Sequence, residues 1–291
     1  MQIDQITEPV TEHGEGPVWD AATGRLHWVD MLRGDVLTME ESGGTSSSPS
    51  RQHLGDVVAA VRPRSGGGLV LAVERGFAVL DPGAGTARTV AEVWQDPSVR
   101  MNEGGCDPQG RFYAGSMAYD SRPGGGSLYR LDPDGTVSTL LDEVSVSNGI
   151  GWSPDDRTMY FTDTPSRRIY RYDFDRARGE IANRRVFAEV APGHGGPDGM
   201  TVDAEGFVWS AQFDRWCINR YAPDGKLERS IRLPVQRPTT CMFGGPDLSI
   251  LYVTSARMDL SEAALAEQPH AGGVFALDVG VKGLPEPRFV G

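Results

Sequence analysis

The chain has 291 residues, 37 of them Gly and 20 Pro, and a formal net charge of −12. Its glycine and proline content implies many turns and short elements in place of long helices. The acidic balance lacks the basic footprint that phosphate backbones or anionic lipid require, so neither nucleic acid nor membrane is an expected partner.

Taken from the start, "MQIDQITEPVTEHG" has no basic region leading into an apolar run, and no later stretch approaches the roughly 20 apolar residues that span a bilayer. A cytoplasmic protein is expected. A repeat then emerges: a turn of Asp, Pro, Ser or Gly, a run of β-formers, and a second run that often ends near Asp. It reads "WDAATGRLHWVD", "VRPRSGGGLVLAV", "CDPQGRFYAGSM", "WSPDDRTMYFTDT", "VDAEGFVWSAQF" and "FGGPDLSILYVTS", and each copy has a partner strand, beginning with "GDVLTM" and ending with "GGVFALDV". The copies recur roughly every 45 residues, the length of a four-stranded propeller blade. The expectation is therefore an all-β, six-bladed β-propeller around a central channel, one domain over residues 1–291.

Leu69 to Val73, Met159 to Thr162 and Leu251 to Thr254 lack strict alternation and are expected to be the inner strands, buried between neighbouring blades. "QIDQITE" is expected to close the ring as a strand of the last blade, because closure removes exposed edges. The stretch 41–50, "ESGGTSSSPS", reads as a flexible hairpin loop. "DLSEAALAEQ", 259–268, is the one helical window, with Ser261 as a possible N-cap. Cys106, Cys217 and Cys241 are odd in number and lack CxxC spacing, so they read as buried or half-buried fillers.

Residues just before each inner strand should converge at one mouth of the channel. Upstream of the copies stand Glu15, Asn102 with Glu103, Asn148, Asp198, and Thr239 with Thr240; the second copy offers nothing chargeable. Glu15-Gly16, Asn148-Gly149 and Asp198-Gly199 share one register, an oxygen donor followed by Gly. Pro-Asp-Gly alone is an ordinary turn. Oxygen donors converging from three blades, without a thiolate, suit a hard divalent cation. Beside Arg100, Asn102 either offers donors to a ligand bearing hydroxyls and a carbonyl or bonds its own loop backbone. Neither a GxSxG elbow, a P-loop nor a dinucleotide fingerprint is present.

"EGPVWD", "RMNEGGCDPQGRFYAGSM", "SNGIGWSPDDRTMYFTDT" and "PDGMTVDAEGFVW" together resemble the ordered motifs of the SMP-30/gluconolactonase/regucalcin-like family along nearly the whole chain. The resemblance implies a hydrolase that opens sugar lactones such as gluconolactone, with one divalent cation in the channel: Ca²⁺, or alternatively Zn²⁺, Mn²⁺, Mg²⁺ or Fe²⁺. It implies Glu15, Asn148 and Asp198 as metal ligands, Asp198 or a water on the metal as general base, and Arg100, Asn102 and Asp120 as substrate contacts. Two departures bear on substrate identity. Glu103 stands where the family commonly has Asp, and Tyr119 precedes Asp120 where the family often has a pair of acids. The competing expectations are another ester or phosphotriester hydrolase on the same scaffold, which would want a more apolar channel mouth, and a calcium-binding regulatory propeller. No WD or kelch signature recurs to favour the latter.

Overall fold

The computed structural model describes residues 2–40, 48–193 and 195–291. Six four-stranded antiparallel sheets stand around a central axis. Their innermost strands are Gly14–Asp20, Val58–Pro63, Val99–Cys106, Ser147–Trp152, Gly196–Val202 and Pro238–Gly244, which define blades 1 to 6. Each inner strand packs against the next around the ring, with blade 6 returning onto blade 1. Ile3–Gln5 pairs antiparallel with Phe275–Asp278 and so supplies the outer strand of blade 6, the closure expected of "QIDQITE". Among the described residues, no helix is long and apolar enough to cross a membrane.

One expectation about strand order is corrected. Leu69–Val73, Thr158–Asp163 and Ile250–Ser255 are the second strands of their blades, one position out from the axis. Neither position alternates in sequence because blades sandwich both, leaving no solvent face to impose alternation. What distinguishes the innermost strands is crowding at the axis. A side chain on Gly149 would stand 2.7 Å from the carbonyl oxygen of Asp198 on the next blade, which no Cβ tolerates. The loop expected over 41–50 lies outside the described residues at 41–47, and from Ser50 the chain is the outer strand Ser50–His53. The expected helix runs Glu262–Glu267 between the strands of blade 6, capped by Ser261 Oγ accepting from Ala264 N at 3.2 Å. Cys106 and Cys241 are buried free thiols and Cys217 is half-buried.

Large side chains fill the space between blades: Trp28, Trp209, Tyr113, Phe77 and Phe112 are fully buried. Two turns carry the same device. Asp203, with no exposed surface, accepts from Glu205 N (3.0 Å), Phe207 N (2.9 Å), Trp209 Nε1 (2.8 Å) and Arg220 Nη2 (2.6 Å). Asp107 accepts from Gln109 N, Arg111 N and Arg111 Nη1 (2.7 Å) and from the Tyr113 hydroxyl (3.1 Å). The turns close through Gly206 and Gly110, whose φ of 82° and 78° would strain other residues. Each carboxylate locks a turn to a ring on the following strand. Asp203→Ala leaves Arg220 with Glu205 and Glu228 as its acidic partners and strands the Trp209 Nε1 and two turn N–H donors, and is expected to cost about 3–5 kcal/mol in urea unfolding; a loss below 1 kcal/mol would contradict this account.

His27, buried with its Nδ1 2.8 Å from Thr38 Oγ1, has its pKa lowered to about 4, first by burial and then by the Arg25 charge. The neutral ring contributes stability above the ordinary histidine pKa near 6.5, and that contribution is lost as pH falls toward 4. His27→Gln, an uncharged replacement, is expected to flatten the fall of melting temperature between pH 6.5 and 4.

Candidate active site

All six inner strands shift register against their neighbours at matching places: between Glu15 and Val18, Val58 and Ala60, Met101 and Glu103, Ser147 and Ile150, Pro197 and Met200, and Pro238 and Cys241. A bulge leaves residues out of the ladder and re-aims their side chains. Asn102, Asn148, Asp198 and Thr240 lie inside these bulges and Glu15 borders one. The candidate residues therefore sit within the inner strands, near their starts, and not in the loops before them as expected. Blade 2 puts only Ala59 at this level, consistent with its lack of a chargeable residue.

Glu15, Arg100, Asn102, Asn148 and Asp198 are all buried, no more than 6% exposed. Asn148 Nδ2 donates to Thr164 Oγ1 at 2.8 Å, and that hydroxyl donates to the Pro197 carbonyl at 2.8 Å. With its nitrogen so committed, Asn148 keeps Oδ1 for a ligand; that oxygen lies 3.4 Å from Asn102 Nδ2. Asn102 is fixed from both ends, its Nδ2 donating to Ser147 O at 2.7 Å and its Oδ1 accepting from Arg100 Nη1 at 2.6 Å. Arg100 also meets Met101 O at 3.0 Å and lies with its guanidinium carbon 5.7 Å from the Tyr119 ring centre. Tyr119, 46% exposed, donates to Glu74 Oε1 at 2.8 Å on the rim.

Among the described residues, Asp120 makes no hydrogen bond or ion pair to this group. It is exposed after the second strand of blade 3, accepts from Arg122 N at 3.2 Å and pairs with the Arg122 guanidinium at 3.2 Å. Three further residues join the cluster. Glu103 is buried and accepts from Gly104 N at 2.9 Å and Thr240 Oγ1 at 3.0 Å, while the same hydroxyl also meets Glu15 Oε2. His13 Nε2 lies 3.9 Å from Glu15 Oε1, and its buried Nδ1 has no hydrogen-bond partner among the described residues. Thr240 and Glu103 were visible in sequence at the matching repeat position; nothing there said that one hydroxyl would serve two acids. His194 lies outside the described residues.

The electrostatics are those of crowded, desolvated acids. Burial and then Glu103 push Glu15 up to about 8, against the Thr240 and Gly16 hydrogen bonds and Arg100. Asp198 is raised well above the usual carboxylate range by burial, then by Glu15 and Glu103. Glu103 is raised chiefly by burial. His13 is lowered to about 3 by burial, then by Arg100 and Arg237, so it is neutral near pH 7 and can accept a hydrogen bond. Thr240 has one proton to give and two carboxylates to satisfy, so the site is short of positive partners. Among the described residues, no three His, Cys, Asp or Glu side chains are grouped so as to hold a metal by themselves. Two acids and an amide, all oxygen donors, nevertheless fit a hard divalent cation, with the Asn148 oxygen as third donor.

The family model of the SMP-30/gluconolactonase/LRE-like region matches residues 13–257. The chain is 36% identical over 294 residues to a pentonolactonase of Haloferax volcanii, covering 99% of this chain and 98% of that one. It is 38% identical over 283 residues to a 6-deoxy-6-sulfogluconolactonase of Pseudomonas putida, covering 96% and 95%. Its fold superposes with a TM-score of 0.91 on the crystal structure of a calcium-binding protein, regucalcin, from Agrobacterium tumefaciens, at 32% identity and covering 96% and 94%. With a matched region of that extent and a six-bladed ring of the same shape, this chain belongs to the SMP-30/gluconolactonase/LRE-like family.

Proposed function

We propose that this protein is a hydrolase that opens a sugar lactone to its sugar acid, using one divalent cation, Ca²⁺, held by Glu15, Asn148 and Asp198. What supports this reading is a set of buried oxygen donors at matching positions of three inner strands, with Asp198 raised by the nearby charges of Glu15 and Glu103 and with the Arg100–Asn102 pair among the same buried groups. Two family relatives are named as lactonases, and the Agrobacterium relative is described as calcium-binding.

A cation bound there supplies Lewis-acid polarisation of the lactone carbonyl. The chain's own groups do the rest. Asp198, which would be ionised only with the cation beside it, takes a proton from the water that adds to the carbonyl carbon, and the ring C–O bond breaks. The same proton then passes to the departing ring oxygen, leaving a hydroxy acid. Arg100, locked to Asn102 at 2.6 Å, presents its remaining N–H groups to orient the carbonyl and ring hydroxyls, and Asn102 fixes its direction. Tyr119 gives the rim an aromatic wall beside Arg100. No nucleophilic side chain is required, because the lactone carbonyl is already electrophilic.

The test is proton release in a pH-stat with the Ca²⁺-loaded protein, glucono-lactone and pentono-lactones, and a phosphotriester for comparison. Lactone opening well above the spontaneous rate, with no gain on the phosphotriester, is the expected result. Failure to accelerate any lactone would overturn the reading.

A further inference from the structure

The far end of the channel is crossed by the C-terminal segment. Ala204 N donates to Lys282 O at 2.9 Å and Gly283 N to Leu248 O at 2.8 Å; then Phe289 N donates to Pro63 O and Val290 N to Gly110 O, both at 3.0 Å. The segment is thereby strapped from blades 5 and 6 across to blades 2 and 3. Between these anchors Glu286 accepts from Arg62 Nε at 2.8 Å, in an ion pair whose arginine is 3% exposed. Beside the pair is a largely apolar cavity of about 400 Å³ lined by Ile150, Trp152, Met200, Met242 and Leu284. A buried ion pair next to apolar surface is held at a cost in desolvation, so stability alone does not account for it.

Arg62 lies immediately below the candidate cation site. A methyl on Gly16 would stand 3.9 Å from its Nη1, and one on Gly105 would stand 3.7 Å from its Nη2. Gly16 follows Glu15, and Gly105 is two residues beyond Glu103 on the same strand. The guanidinium thus reaches from blade 1 to blade 3 on the level below the two acids. Its charge acts on the second of them: burial raises the Glu103 carboxyl, Arg62 opposes that rise, and Glu286 adds to it.

We propose that Glu286, acting through Arg62, is a positioning residue that sets the charge on the floor of the cation site. Paired with Glu286, the guanidinium is neutralised where it stands, and the acids above remain available to a divalent cation. Left uncompensated, the same positive charge repels that cation. The inference rests on the cation site proposed above, and it extends the functional machinery to a residue on the opposite face of the ring.

Ca²⁺ titration calorimetry on the full chain, stripped beforehand with chelator, tests it in the wild type, Glu286→Gln and Glu286→Gln/Arg62→Met. The single variant leaves Arg62 uncompensated and is expected to bind Ca²⁺ about tenfold more weakly, since a unit charge at this range in a partly desolvated channel is worth that much. The double variant removes both charges and is expected to return to within about threefold of wild type. A purely structural strap would weaken both variants alike, or neither, and either pattern overturns the inference. Should Glu286→Gln melt before titration, Arg62→Met alone replaces it: with the guanidinium gone and Glu286 kept, Ca²⁺ is expected to bind several-fold more tightly, and weaker binding there would overturn the inference. Absence of Ca²⁺ binding by the wild type would instead remove the cation site itself, and this inference with it.

Discussion

Asp198→Asn is expected to lower kcat/KM for an aldonolactone by at least about a thousandfold while the propeller stays folded, general-base catalysis alone being worth 10²–10⁴. The substitution keeps shape and an amide oxygen but removes both the proton acceptor and a negative ligand. It should not unfold the protein, because in the metal-free state Asp198 is a buried acid repelled by Glu15 and Glu103. Neutralising it relieves that repulsion, so the metal-free variant should melt at or above the wild-type temperature. Opposite signs in activity and stability separate a functional residue from a structural one. Asp120→Asn is the matched comparison: exposed and, among the described residues, paired with Arg122 and its backbone alone, it is expected to change kcat/KM by less than threefold. A loss of activity on Asp120→Asn equal to that on Asp198→Asn would mean that the rim closes on substrate in a way the present geometry does not contain.

Chelation is the second large effect. Removing the divalent cation is expected to abolish lactone opening and to lower the melting temperature, since ligands that bind only the native state stabilise it by mass action. The pH dependence of that destabilisation has a definite sign. Glu15 is raised from 4.5 to about 8 in the fold, so its ionised form is disfavoured there. Metal-free stability therefore falls as pH rises from about 4.5 toward 8, an acid with a raised pKa losing stability on deprotonation. The histidine contribution at His27 runs the other way but is complete above pH 6.5, which leaves pH 6.5 to 8 as the clean window. Thermal melts across that window should diverge, falling without cation and staying nearly level with saturating Ca²⁺. Parallel curves would argue against carboxylate ligation, as would full activity after complete chelation.

Much of this molecule is legible without coordinates because its repeats say the same thing six times. Turn residues, β-forming runs and their spacing specify blades, and "QIDQITE" closes the ring because an unpaired edge is costly; these are local and periodic signals. The shared register of Glu15, Asn148 and Asp198 is legible for the same reason, since equivalent positions of a closed repeat must be neighbours at the axis. Asp120 and Tyr119 are not so determined: they follow the second strand of blade 3, where the direction of a turn decides which side chain faces the channel, and here that turn sends Asp120 to Arg122.

Only the folded ring decided the rest. Inner and second strands are both buried along nearly their whole length, so the lack of alternation could not rank them by distance from the axis. The bulges that aim Asn102, Asn148, Asp198 and Thr240 inward depend on pairing across strands. The sharing of Thr240 between Glu15 and Glu103 joins residues 225 and 137 positions apart. The contact of Arg62 with Glu286 spans 224. Periodicity reports what a residue does within its own blade; which charges end up facing each other across the channel is set by closure, when six separate strands are brought to one axis and their side chains must share a space from which water has been removed.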